Sequence, residues 1–306
     1  MTRNEFFREQ MTAAAYIAAW KIIGRLPGRV ADTLFSLGAD WASDKGKGME
    51  MLRRNLARVV GVENVDQDLV RASVRSYARY WKEAFRLPTL AGDSEVVERI
   101  REGIEGLEHL ERAYGQGKGV ILALPHSGNW DMAGMWLVQN YGTFATVAER
   151  LKPESLFDAF VRYRESLGFE VLPLTGGREA PYERLREVLE SGGIVCLMGE
   201  RDLTSSGVPV MFFGEETTMP AGPAKLAIDT GAALLPVHSW FEGTDRDPAW
   251  GLKAESPIEV TDVAETTQRL ADRFAANIAE HPADWHMLQP MWPVDKPKRS
   301  RRRELR

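Results

Sequence analysis

The sequence predicts an α/β fold: a mainly parallel central sheet flanked by helices on both faces, with a helical region at the N-terminus. Three observations carry this. Only helical spacing is visible in the first 90 residues, short apolar runs alternate with amphipathic segments from about residue 92, and several of those runs are apolar throughout, as in GVILAL at 119–124. A chain of 306 residues with 44% hydrophobic and 27% charged composition can bury one sizeable core. The expected organisation is a single domain, with residues 1–90 helical, 91–293 an α/β core and 294–306 a basic, disordered tail.

Taken in order, residues 11–23 (MTAAAYIAAWKII) are apolar around nearly the whole helical circumference, but thirteen residues interrupted by Lys21 are too few to span a bilayer. An interfacial or core helix is expected. Trp20 and the basic Arg25, Arg29, Lys45, Lys47, Arg53, Arg54 and Arg58 favour the membrane surface. Glu5 and Glu9 fall where a secretory leader needs basic residues, which argues against a signal peptide. Leu52, Leu56 and Val59, then Val70, Val74, Tyr77, Trp81 and Phe85, recur at helical spacing, and Leu87-Pro88 closes the block. Beyond it, strands are expected at 119–124, 144–148, 170–173, 194–198, 210–213, 233–237 and about 252–260. Helices are expected at 154–166, 179–190, 221–230 and 264–280.

The formal net charge of −5 is uneven: residues 1–90 carry +5, residues 296–306 carry +6 and the middle carries −16. Basic ends favour an anionic surface. Nucleic acid is not the expected partner, because the basic residues are not interleaved with aromatics in a reading module. Anionic lipid fits better, at about 1 kcal/mol per basic residue near the surface. The lone Cys196, in the apolar run at 194–198, reads as a small buried hydrophobe and rules out an internal disulfide, which suits the cytosol.

The chemistry points to PHSGNWD at 125–131, which follows the strand at 119–124 and opens an apolar helix. His126 and Asp131 would lie about 140° apart on a continuous helix. They can meet only if His126 precedes the helix and Asp131 stands in its first turn. The carboxylate could then fix the tautomer and stabilise the imidazolium as it forms. Alone, the pair equally suits a structural helix cap. A second polar loop, Glu200-Arg201-Asp202, also follows an apolar strand and is expected on the same sheet edge, where reactive loops of such sheets lie. No GxSxG elbow, P-loop, dinucleotide loop or HExxH pattern is present, so a serine hydrolase and a zinc site are not expected. His281 and His286 read as a C-terminal surface.

HSGNWD at 126–131, GERDLTSSGVPVMFFGEE at 199–216 and MPAGPAKLAIDTGAALLPV at 219–237 resemble the bacterial lipid A lauroyl/myristoyl acyltransferases, within them most closely the actinobacterial phosphatidylinositol mannoside acyltransferases, over about residues 5–293. The resemblance implies a monotopic enzyme on the cytosolic face of the cell membrane. It would move an acyl group, usually palmitoyl, from its coenzyme A thioester to a mannose 6-hydroxyl, with acyl-CoA as co-substrate and no cofactor or metal. Carried onto this chain, His126 is the base and Asp131 and Glu200 are the acids that orient it; which acid touches the imidazole stays open. Glu149, Arg150, Arg164, Arg201 and Asp202 are candidates for the polar parts of donor or acceptor, with surface charge as the alternative. Backbone amides around Ser127–Asn129 are candidate oxyanion donors, and Met132, Met135, Trp136 and Phe212 are candidate walls of an acyl groove, with ordinary core the commoner place for apolar residues at these spacings. Two other readings are a lipid-binding scaffold and a thioesterase using the same histidine.

Overall fold

The first helices have ends written in the local sequence. In the computed structural model, which describes residue 20 and residues 22–91, 93–150, 154–176, 180–204, 206–244 and 247–296, α1 (Gly28–Ala42) and α2 (Glu50–Val60) lead into the long α3 (Gln67–Leu90). Asp66 caps α3 by accepting a hydrogen bond from the Leu69 amide at 2.7 Å, which satisfies one of the amides that every helix start leaves unpaired. Pro88 was expected to close this block, yet the helix runs on to Leu90. Proline lacks the N–H that would bond the carbonyl four residues back. The Tyr163 hydroxyl donates to that Ala84 carbonyl instead, at 3.1 Å. Of the apolar segment 11–23 only Trp20, Ile22 and Ile23 fall among the described residues. The tail at 297–306 lies outside them.

After α4 (Ser94–Glu102), β1 (Ile104–Glu105) and α5 (Leu107–Gly115), strand and helix alternate: β2 (Val120–Leu124), α6 (Trp130–Tyr141), β3 (Phe144–Ala148), α7 (Glu154–Ser166), β4 (Phe169–Pro173), α8 (Pro181–Glu190) and β5 (Ile194–Met198). A hairpin of β6 (Val208–Phe212) and β7 (Glu215–Met219) precedes α9 (Gly222–Thr230), β8 (Ala233–Thr244), β9 (Asp247–Ala254) and α10 (Val263–Glu280). The main sheet has the order β1-β9-β8-β2-β5-β3-β4. Strands β8, β2, β5, β3 and β4 are parallel, and β9 runs against β8. Successive strand side chains point to opposite faces. Ile121 and Val195 therefore pack with Leu189, Leu226 and Phe274 in one layer, while Leu122 and Leu124 pack with Leu110, Met132 and Leu137 in the other. Burial on both faces is why these strands read as unbroken apolar runs. The mainly parallel sheet with helices on both faces is thus what the chain forms.

Two strand expectations are corrected. Among the described residues the segment at 210–213 does not join the main sheet; β6 pairs with β7 alone. The two turn residues, Phe213 (φ 50) and Gly214 (φ 77), both have positive φ, the backbone that matches a two-residue hairpin to strand twist. The strand expected at 252–260 instead begins at Asp247 and ends at Ala254, as the return arm of a hairpin with β8. The outer end of that hairpin is exposed and polar, so it carries no apolar signal.

Candidate active site

The register Leu124↔Met198 brings the ends of β2 and β5 to one edge, and the Gly199 amide donates to the Leu124 carbonyl at 2.8 Å. The loop leaving β2 is held from three sides. Gly128 has φ 54, and a Cβ there would lie 2.6 Å from the Ser239 carbonyl group, so the backbone of β8 can approach only a glycine. Asn129 caps α6 by accepting from the Met132 amide at 3.1 Å, and its own amide donates to buried Glu83 at 2.8 Å. Glu83 also accepts from Arg79 at 2.7 Å and from Trp250 at 2.8 Å, which ties the cap to α3 and β9.

The third side is the C-terminal segment. The His286 amide donates to the His126 carbonyl at 2.8 Å, and the Gly128 amide donates to the Asp284 carbonyl at 3.0 Å. His286 is therefore no surface residue: its ring is buried and accompanies Tyr77 and Tyr80. Trp285, Met287, Met291 and Trp292 are buried too, and this apolar run after α10 was the sequence signal that the segment packs inward. The loop amides expected as oxyanion donors are partly engaged: Gly128 as above, and Ser127 with the Pro125 carbonyl at 2.8 Å.

His126 meets Glu200, not Asp131. Nδ1 lies 2.7 Å from Glu200 Oε1, and the His126 amide donates to the same oxygen at 2.7 Å. A carboxylate only accepts, so Nδ1 carries the proton and Nε2 keeps its lone pair. Burial pushes the Glu200 carboxyl up, but the positive charge that His126 gains on protonation, with the hydrogen bonds from its ring and amide, outweighs burial and holds the carboxyl below its ordinary range. Asp131 instead accepts from Arg164 at 2.8 and 3.0 Å and from the Tyr80 hydroxyl at 3.0 Å. In the first turn of α6 its side chain points toward α3 and α7, where a buried guanidinium needs a partner. Burial pulls the Arg164 proton affinity down, and the facing carboxylate more than restores it.

His126 stands in the wall of a cavity of about 660 Å³, within the size range of small-molecule sites. Its lining is dominated by apolar and aromatic side chains of β2, β3, β5, α6 and α7, with Asp131, Arg164 and Arg201 among the few charges. A base with a free ring nitrogen at the lip of an apolar cavity suits proton removal from a hydroxyl beside a hydrocarbon chain.

The family described as bacterial lipid A biosynthesis acyltransferase matches residues 5–293. The chain belongs to that family. It is 58% identical over 292 residues to the phosphatidylinositol mannoside acyltransferase of Mycolicibacterium smegmatis, covering 94% of this chain and 93% of that protein. It is 56% identical over 296 residues to the protein of the same name from Mycobacterium tuberculosis, covering 95% and 92%. The protein is therefore an acyltransferase.

Within this acyltransferase the other singled-out residues separate. Arg201 lines the cavity next to Glu200 and has no hydrogen-bond or ion-pair partner among the described residues. Glu149 lines the cavity at its exposed margin. Arg150 turns away to pair with Glu154 and the Gly176 carbonyl. Asp202 organises its own loop, accepting from the Thr204 and Gly207 amides at 2.8 and 3.1 Å and from the Thr218 hydroxyl at 3.2 Å. Of the expected groove residues only Trp136 lines the cavity; Met132 and Met135 are packed core, and Phe212 lies in the opposite layer against Trp292. Cys196, read as a small buried hydrophobe, faces the cavity, with burial pushing its thiol up.

Proposed function

We propose that this acyltransferase moves a long-chain acyl group, palmitoyl, from its coenzyme A thioester to the 6-hydroxyl of a mannose in a phosphatidylinositol mannoside. The observation that carries the reading is the His126–Glu200 pair at the lip of an apolar cavity; the acceptor follows the names of the relatives. His126 Nε2 takes the hydroxyl proton as the oxygen attacks the thioester carbonyl carbon, and Glu200 stabilises the imidazolium. Collapse of the tetrahedral intermediate breaks the C–S bond. The leaving thiolate then takes the proton from Nε2, returning the imidazole to its starting state. Arg201, with no partner among the described residues, supplies positive charge for an anionic part of donor or acceptor. Asp131 with Arg164 acts by holding α3, α6 and α7 around the reacting centre.

The setting we propose is the cytoplasmic face of the cell membrane, with the enzyme peripheral. Among the described residues no helix is long and apolar enough to cross a membrane. Val30, Leu34, Leu37 and Trp41 recur at helical spacing on α1 and are exposed, Trp41 at 87%. Arg29 at the start of α1 and Lys45 and Lys47 just past its end provide the positive charge that an anionic headgroup layer attracts.

The test is mass spectrometry of products from purified protein, palmitoyl-CoA and a panel of phosphatidylinositol mannosides. His126→Ala is expected to lower transfer by at least about 100-fold while the variant still melts cooperatively and binds vesicles as the wild type does. Retained transfer in that variant overturns the assignment. Coenzyme A release without an acylated lipid indicates a thioesterase instead.

A further inference from the structure

The cavity has an outline that the reaction itself does not explain, and the strand register shows where it ends. Leu124, Met198 and Ala148 share the upper level, next to the His126 edge; Leu122, Cys196 and Thr146 share the next level down; Val120, Ile194, Phe144 and Phe169 share the lowest. Under β2 and β5 the cavity is lined by the upper two levels only, since Val120 and Ile194 do not reach it. Under β3 and β4 it continues to the lowest level, where Phe144 and Phe169 line it. The cavity therefore slants downward, away from His126 toward the β4 edge.

Its deep end is closed by two rings seated on a glycine. The Phe144 and Phe169 rings have centroids 4.7 Å apart. A Cβ on Gly134, in α6, would lie 2.7 Å from the tip of Phe169 and 3.1 Å from the tip of Phe144. No side chain could stand at 134 without moving one ring. A second, shallower arm leads the other way at the upper level, past Val237 and Ala254 to Leu107 and Leu110 of α5.

We infer that Phe144 and Phe169, held by Gly134, are the stop that sets the longest acyl chain this enzyme accepts. The inference rests on the proposed acyl donor. From Ala148 to Phe144 is about 13 Å along the strand, and from β2 to β4 is about 14 Å across three strand spacings. The slanting path is then about 19 Å. An extended hydrocarbon chain advances about 1.25 Å per carbon, from a C–C bond of about 1.5 Å at a near-tetrahedral angle. The deep arm thus takes about fifteen carbons, whereas the shallow arm, two strand spacings or about 10 Å wide, takes about eight.

The test compares wild type, Phe169→Ala, Gly134→Ala and, as a control in the shallow arm, Leu110→Ala. Transfer is measured from saturated acyl-CoA esters from lauroyl to arachidoyl, and binding of the corresponding free fatty acids is measured by native mass spectrometry, which needs no catalysis. Phe169→Ala should move both optima to chains longer by about two to four carbons, and Gly134→Ala should move them to shorter chains. A far-UV circular dichroism spectrum like that of wild type and a single cooperative melt show that Phe169→Ala is folded. Optima that stay in place in both variants, or that move in Leu110→Ala, overturn the inference. If no CoA ester serves as donor but the fatty-acid optimum moves as stated, the donor assignment falls and the stop stands.

Discussion

Replacing Asp131 by alanine tests the largest difference between expectation and structure. The substitution leaves a guanidinium, 20% exposed at its side chain, without its carboxylate, and removes the acceptor of the Tyr80 hydroxyl. Removing one partner of a buried pair costs about 3–5 kcal/mol, because the remaining charge stays desolvated and uncompensated. At roughly 2–4 °C per kcal/mol for chains approaching this size, the melting temperature should fall by roughly 6–20 °C in calorimetry. The double variant Asp131→Ala/Arg164→Met, with no orphaned charge, should recover a large part of that loss. Glu200→Gln keeps the shape beside His126 but removes the charge that supports an imidazolium, so its effect should fall on kcat with little change in melting temperature. The reverse pattern, a near-native melting temperature but no turnover in Asp131→Ala together with an active Glu200→Gln, would refute the division of roles drawn from the geometry.

Three further outcomes follow from the site and its surroundings. Gly128→Ala places a Cβ against the β8 backbone at φ 54 and should cost about 2–4 kcal/mol from strain and overpacking; equal denaturation midpoints for variant and wild type would contradict this. His238 and His286 are both lowered to about 3, by burial first and then by neighbouring positive charge. Each stays neutral when folded but gains a proton when unfolded below about pH 6.5, so stability falls as pH drops from there toward 3. The loss is roughly 2 kcal/mol per histidine between pH 7 and pH 5, and a flat urea midpoint across that range would contradict it. On α1, Leu34→Asp with Leu37→Asp should weaken sedimentation with anionic vesicles while leaving activity in detergent micelles intact; undiminished sedimentation would remove α1 from the membrane reading.

Local chemistry made much of this molecule legible in advance. Continuous apolar runs marked β2, β3 and β5 because a strand covered on both faces has no polar face, and the turn PHSGNWD showed where a strand hands over to a helix. What escaped was whatever depends on partners distant in sequence. The outer β8–β9 hairpin has exposed residues with no periodic signal, and Pro88 ends a helix only when nothing else can satisfy the Ala84 carbonyl.

The same divide runs through the site. The sequence alone placed His126 at the carboxyl end of a strand, Asp131 in the first turn of a helix and Glu200 after a second strand, because each position follows from nearest neighbours along the chain. Only the tertiary structure decided which acid serves the histidine. Asp131 and Glu200 lie five and 74 residues from His126 in sequence, and proximity in the chain favoured the wrong one. A carboxylate turns toward the charge it must compensate in the folded state: Arg164 on α7 claims Asp131, and the parallel register of β2 with β5 delivers Glu200 to the imidazole.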